Sequence, residues 1–255
     1  MKTWIEIIFE IGLTVGLADF VAGLVHWFED AYVREDTPLI GSAVGRPNVI
    51  HHHLPRYFTR FSWWYSSRDL LLISGLIVLA AWCFGWLTWE VWLFAAVSTN
   101  ANEVHKWSHR TRKENGRLLS FLQDIHVLQT PRHHAIHHTN PKNCHYCPIT
   151  NLVNPVLDRL HFWDGLEWFL ARTIRLHRRP DTSLPNSPVP AWVEELRREG
   201  ELKKPGKASV PHNHIFASKC QFLNVKGLLI SSYCDVMASR LNRLTSMVGG
   251  GGSMG

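Results

Sequence analysis

The pattern of apolar and polar segments predicts a long membrane helix near the start of the chain. Residues 5–27 are mostly apolar over a length that just spans a bilayer, although Glu6, Glu10 and Asp19 interrupt them. Glu6 and Glu10 lie near the start and can reach the interface, whereas Asp19 is expected to face protein rather than lipid. No small-residue cleavage site follows, so we expect an uncleaved helix rather than a signal peptide.

A second apolar stretch, residues 70–98, is too long for one untilted span and contains Gly85. We expect two short helices that form a hairpin, with Gly85 near the turn. Basic residues flank the stretch on both sides, namely Arg34, Arg46, Arg56, Arg60 and Arg68 before it and Lys106, Arg110, Arg112, Lys113 and Arg117 after it. Positive charge on both flanks predicts that both are cytoplasmic, so the first helix enters the membrane from the opposite side.

The rest of the chain predicts shorter and more polar helices. Residues 118–128 suit a short apolar helix, and residues 152–176 suit an amphipathic helix at the interface that contains Trp163 and Trp168. Prolines at positions 180, 185, 188 and 190 precede a charged helix over residues 191–202. We expect a membrane domain over residues 1–204 and a tail of unknown role over residues 205–248. Residues 249–255 are rich in Gly and Ser, as a linker scar would be.

Composition favours a membrane partner over a nucleic acid. Charged residues are 19% of the 255 residues, Trp numbers 12 and His 16, and the formal net charge is +6. Indole rings favour the lipid interface, and a basic balance suits an anionic membrane surface. No nucleic-acid partner is expected, because the sequence has no Gly-rich phosphate loop, helix-turn-helix pattern or RNA-binding signature. Five cysteines argue against a disulfide framework, and Cys144-x-x-Cys147 alone is a weak zinc signal.

Histidines gather near the ends of the predicted helices. HKWSH places His105 and His109 four residues apart, and HHAIHH spaces two further pairs in the same way, so each pair can share a helix face. The candidate metal ligands are His26, His51, His52, His53, His105, His109, His126, His133, His134, His137, His138 and His145. His126 precedes His134 by two helical turns, but Pro131 argues against a continuous helix between them.

About eight converging imidazoles are enough for two metals, since structural zinc takes four ligands. Imidazole suits Fe, Zn, Cu or Ni. Because Glu-x-x-His and HExxH patterns are missing from the sequence, neither a ferritin-like carboxylate bundle nor a zinc protease is expected. The sequence predicts an all-α integral membrane protein with three to four transmembrane or re-entrant helices and a cytoplasmic histidine-rich cap that holds two metals.

Three segments resemble a known family. HKWSH, LQDIHVLQTPRHHAIHH and HYCPITNLVNPVLDRLHFWDGLE are similar to the Kua-type (CarF-like) lipid desaturases, and the likeness extends from VHWFED to Glu167. The resemblance implies two iron ions bound by the candidate histidines, with O2 as cosubstrate. It also implies a phospholipid substrate and electrons from cytochrome b5 or ferredoxin. In this chain three histidines, His51, His52 and His53, stand where the family has two, and Leu54 replaces an Asp.

The resemblance favours an ether phospholipid as substrate and a vinyl ether bond as product. The alternatives are an acyl desaturase that forms a trans double bond in phosphatidylglycerol palmitate, a membrane hydroxylase, and a non-enzymatic metal-binding membrane protein. The membrane expected is the endoplasmic reticulum in a eukaryote, the cytoplasmic membrane in a bacterium, or a plastid membrane.

Three further polar residues are candidates to orient the histidines, namely Asp30, Asp124 and Asn102. Asp30 follows His26 by one helical turn and matches an Asp of the family. Lys106 and Arg132 are candidates to contact a lipid phosphate, although ordinary interface cations would look the same.

Overall fold

A computed structural model of the chain describes residues 2–139, 141–179 and 189–202. The predicted tail and linker scar, and the prolines at 180, 185 and 188, lie outside these residues. The described residues form helices and no strands, which confirms the all-α prediction. The α-helices are α1 (Trp4–Tyr32), α2 (Arg46–His53), α3 (Trp63–Cys83), α4 (Trp89–Thr99), α5 (Ala101–Ser108), α6 (Arg112–Asp124), α7 (Pro131–His137), α8 (Val153–Arg159), α9 (Phe162–Thr173) and α10 (Ala191–Leu202).

Two of these helices, α1 and α3, are long and apolar enough to cross a membrane. Only 17% and 11% of their most apolar windows are buried, whereas the core helix of a soluble protein would be mostly buried. Large side chains such as Ile8, Leu13 and Leu72 are more than half exposed. Apolar helices that leave such side chains uncovered are typical of contact with lipid.

The predicted hairpin is present, and Gly85 lies in its turn with a φ of 71°. A positive φ costs glycine little, which suits it to this sharp reversal. The first arm begins earlier than predicted, at Trp63, because the Ser62 side chain caps α3 by accepting from the Tyr65 backbone N–H. The second arm, α4, has 11 residues. At 1.5 Å per residue it is about 16 Å long, about half of a bilayer core, so it has the length of a re-entrant helix.

Two helix predictions differ from the structure. The apolar helix expected over residues 118–128 ends at Asp124, the last residue of α6. Its start is close to the prediction, because Gly116 (φ 73°) interrupts the helical conformation after the first turn of α6, which the capping box of Thr111 and Glu114 begins. The amphipathic helix expected over residues 152–176 is two helices, since His161 between them has a φ of 50°. Trp163 on α9 is also not at an interface: only 2% of it is exposed. It stacks on Trp27 and meets the ring of Tyr146, which lies in the loop between α7 and α8.

Asp19 fastens that α7–α8 loop to α1, which confirms that this residue faces protein. Its carboxylate is fully buried. It accepts hydrogen bonds from the backbone N–H of Ile149 (2.7 Å), the backbone N–H of Thr150 (2.9 Å) and the Thr150 hydroxyl (2.7 Å). A buried carboxylate with three donors holds the loop in one position on the helix.

Asp19→Ala is expected to lower the free energy of unfolding by about 3 kcal/mol, because two backbone donors and a hydroxyl lose a charged acceptor. Thermal unfolding in detergent should show a clear fall in Tm. Glu10→Gln on the same helix is the control, since Glu10 pairs with Lys2 at the partly exposed start of α1 and should change Tm little. Equal Tm values for the two variants would contradict an anchoring role for Asp19.

Candidate metal centre

The structure brings nine potential ligands together in two adjacent groups. The five-histidine group consists of His51, His105, His109, His134 and His138. The carboxylate group consists of His26, Asp30, His52 and His137. Within each group, one ligand atom per residue lies within 4.8 Å of the others. These residues lie on helices α1, α2, α5 and α7, except that His109 and His138 directly follow the ends of α5 and α7.

Helical spacing explains how the residues are divided between the groups. His105 and His109 are four residues apart and share the five-histidine group, as predicted, and so do His134 and His138. Consecutive residues point about 100° apart on a helix, so neighbours can serve different groups. His137 accordingly belongs to the carboxylate group although His138 does not. His133, four residues before His137 on α7, belongs to neither group.

In the five-histidine group the ring nitrogens face one another. Nε2 of His134 lies 2.9 Å from Nε2 of His105 and 3.1 Å from Nε2 of His138. Nε2 of His109 lies 3.4 Å from that of His105. Both ring nitrogens of His51 are buried and have no hydrogen-bond partner among the described residues. Nitrogen lone pairs that converge in this way suit a bound cation.

Burial keeps these imidazoles neutral. It lowers the pKa of His51, His105 and His134 well below the usual range, and the neighbouring imidazoles lower it further. The same causes, burial first, lower the pKa of His109 to about 3. A metal ligand must be unprotonated, so the group is ready to coordinate a cation at neutral pH.

Asp30 lies at the centre of the carboxylate group. Its Oδ1 accepts from Asn48 Nδ2 at 2.8 Å and lies 2.9 Å from Nε2 of His52. Its Oδ2 lies 3.2 Å from Nε2 of His137 and 3.8 Å from Nε2 of His26, yet has no hydrogen-bond partner among the described residues. Asp30 thus stands among the potential ligands, rather than only behind His26 as the sequence suggested.

The α7–α8 loop fixes the orientation of two of these rings. Nδ1 of His26 hydrogen-bonds to the backbone carbonyl of Tyr146, and Nδ1 of His137 to that of Cys144, each at 2.9 Å. A ring that donates through Nδ1 keeps its Nε2 lone pair available, as metal-binding histidines usually do. Gly23 lets the loop approach α1, because a Cβ there would lie 2.5 Å from Sγ of Cys147. Sequence reasoning missed these carbonyls, since main-chain atoms leave no signal in a motif.

Several predicted site residues lie outside both groups. His53 belongs to neither, and His126 is exposed beyond the end of α6, with a φ of 61° and a contact to Asn151. His133 and His145 face each other in a separate place, with ring centroids 4.7 Å apart. As Pro131 predicted, no continuous helix joins His126 to His134, because α6 ends at Asp124 and α7 starts at Pro131.

The remaining predicted helper residues make other contacts. Asp124 is exposed and pairs with Arg112, so it reaches no imidazole of the two groups. Asn102 donates to the carbonyl of Ser66 at 2.8 Å and so fastens α5 to α3. Lys106 is fully buried and pairs with Glu103 at 2.7 Å, which makes it unsuited to contact a lipid phosphate.

His53→Ala is expected to keep bound metal and activity close to wild type, whereas His52→Ala should lose both, because only His52 lies among the potential ligands. The two substitutions are matched in chemistry and adjacent in sequence. Metal analysis and turnover measured on the same preparations compare them. Loss of metal in His53→Ala alone would contradict this assignment.

Residues 15–181 match the lipid desaturase domain family. The chain belongs to this family. That assignment confirms the resemblance predicted from the histidine motifs.

Relatives in the lipid desaturase family include enzymes of two kinds. A plasmanylethanolamine desaturase of Myxococcus xanthus is 33% identical over 172 residues, which are 64% of this chain and 60% of that protein. Plasmanylethanolamine desaturase 1 of Mus musculus is 33% identical over 62% of this chain and 63% of its own length. The chloroplastic fatty acid desaturase 4 of Arabidopsis thaliana is 32% identical over 70% of this chain and 55% of its own. The chain thus covers somewhat over half the length of these relatives, and no solved structure matches it.

Proposed function

We propose that the protein is an oxygen-dependent, di-iron lipid desaturase that converts plasmanylethanolamine into its vinyl ether product. One observation carries the proposal: two ligand groups lie side by side in a chain of the lipid desaturase family. The His26 and His137 rings, both of the carboxylate group, have centroids 4.5 Å apart. The rings of His137 and His138, one from each group, have centroids 5.3 Å apart. Such closeness suits a pair of metals that act on one substrate.

The residues present fit two iron ions. The five-histidine group would hold one through neutral imidazoles, and the carboxylate group would hold the other through His26, His52, His137 and Asp30. Bound there, iron would supply oxygen activation and the removal of hydrogen from an unactivated carbon. The chain's own contribution is to orient the imidazoles, to exclude water by burying them, and to balance charge with Asp30.

The apolar exposed faces of α1 and α3 support a multi-pass membrane location, in the endoplasmic reticulum of a eukaryote or the cytoplasmic membrane of a bacterium. The lipid substrate would then reach the site from the bilayer. The two electrons that O2 reduction needs beyond those of the new double bond would come from cytochrome b5 or ferredoxin.

A second candidate is desaturation of an acyl chain, as in the Arabidopsis relative, whose name is that of a fatty acid desaturase. Both reactions remove hydrogen from an unactivated chain, so the ligand groups do not separate them. We favour the ether lipid because the Myxococcus and mouse relatives are both named for it.

Lipid mass spectrometry decides between the two. The chain is expressed in a host that lacks the endogenous activity and is supplied with plasmanyl lipid. Acid-labile vinyl ethers are expected, and they should be missing with His134→Ala. Trans-unsaturated acyl chains instead would favour the second candidate, and a hydroxylated lipid would overturn desaturation itself.

A further inference from the structure

A third ligand cluster lies apart from the two groups assigned to iron. Cys144, His145 and Asp158 each offer a ligand atom, and these atoms lie within 4.8 Å of one another. Cys144 and His145 belong to the α7–α8 loop, and Asp158 to α8. His133 on α7 stands beside them, with its ring centroid 4.7 Å from that of His145. A thiol, an imidazole and a carboxylate therefore meet in one place, and a second imidazole from α7 lies against the first.

One contact inside this cluster is short: Nδ1 of His145 lies 2.5 Å from Oδ2 of Asp158, and the two side chains form an ion pair. Both ring nitrogens of His133 are buried without a hydrogen-bond partner among the described residues. Cys144 is a free, partly buried cysteine. Buried polar atoms without partners are costly, and a cation shared among them would remove that cost.

We propose that Cys144, His145 and Asp158, with His133 as the fourth ligand, form a structural zinc site. Thiolate, imidazole and carboxylate are the ligands that zinc takes in a four-coordinate site, and a thiolate selects zinc over harder divalent cations. One thiolate and one carboxylate neutralise the charge of Zn²⁺, which suits a partly buried position. The ligands of this site belong to neither iron group, so the proposal does not rest on the proposed desaturation.

Its place in the fold gives such a site a clear role. Cys144 and Tyr146, on either side of His145, are the residues whose carbonyls bond to His137 and His26. Zinc held by His133 and Asp158 would pin this loop between α7 and α8. The metal would thereby fix the carbonyls that orient two ligands of the carboxylate group.

Zinc titration of the full-length, iron-loaded protein in detergent tests the site. The wild type should bind one zinc ion without losing iron, and Cys144→Ser and Asp158→Asn should each lose that zinc ion. Cys83→Ser is the matched control, because Cys83 is a free and exposed cysteine at the end of α3. Equal zinc binding by Cys144→Ser and Cys83→Ser would overturn the proposal, leaving an ion pair of His145 with Asp158 beside an uninvolved thiol.

A second measurement needs no variant and so does not depend on the folding of one. The wild type is treated with a thiol-alkylating reagent with and without Zn²⁺, and the modified cysteines are identified by peptide mass spectrometry. Zinc should slow alkylation of Cys144 and leave that of Cys83 unchanged, since a bound thiolate is shielded from the reagent. Equal rates at Cys144 with and without zinc would overturn the proposal.

Discussion

His134→Ala is expected to abolish lipid desaturation and to release the metal of the five-histidine group. Nε2 of His134 lies within 3.1 Å of two other ligand nitrogens, so its removal opens the middle of the group. Loss of a partner that merely orients a ligand already costs about 10–100-fold in metal affinity or activity. Loss of a ligand should therefore lower turnover by more than about 100-fold. Metal analysis and product formation on purified protein measure the two effects.

His161→Ala is the control for this experiment. His161 lies on the surface between α8 and α9, where 81% of its side chain is exposed. Its removal should change neither metal content nor turnover. Full iron content and activity in His134→Ala would contradict the assignment of the five-histidine group.

Asp30→Ala is expected to lower turnover by about 100-fold or more, the upper end of what metal sites lose with one partner. The carboxylate contacts His52 and His137 and supplies the negative charge of its group. Alanine would remove that charge and leave the Asn48 side chain without its acceptor. The metal of the carboxylate group should be lost, while the five-histidine group keeps its own. Iron content and Mössbauer spectra of the two variants show which metal each one retains.

Asp36→Asn is the matched control, because Asp36 is an exposed acid paired only with Arg34 among the described residues. It should retain wild-type iron and turnover. If Asp30→Asn keeps both metals and most of the activity, Asp30 acts through its hydrogen bonds rather than as a charged ligand.

Local sequence patterns predicted those parts of the fold that depend on residues close together in the chain. Gly85 marked the hairpin turn because its flexibility and the apolar runs on either side are visible in sequence. The break at His161 was not visible, because nothing in its neighbours excludes a continuous amphipathic helix. Burial of Trp163 was missed for a related reason: an aromatic residue on an amphipathic helix suits a lipid interface and a core equally well.

In the candidate metal centre, too, local sequence patterns predicted only the contacts between residues close together in the chain. The four-residue spacing of His105 with His109 and of His134 with His138 predicted pairs that the structure brings together. His133 lies against His145 of the α7–α8 loop, and that loop is held by contacts with Asp19 more than 100 positions earlier in the chain. Long-range contacts of this kind cannot be read from local periodicity, which is also why the central position of Asp30 was not foreseen.

The consecutive histidines at the ends of α2 and α7 limit where insertions and deletions can be tolerated. His51 and His52 serve different groups, as do His138 and His137. Inserting or deleting one residue before either pair of histidines would turn both side chains by about 100° and disturb both groups together. A point substitution can disturb one group alone, whereas a shift in helical phase disturbs both. Tolerated insertions should therefore concentrate in the connecting loops, and the two groups should be retained or lost together.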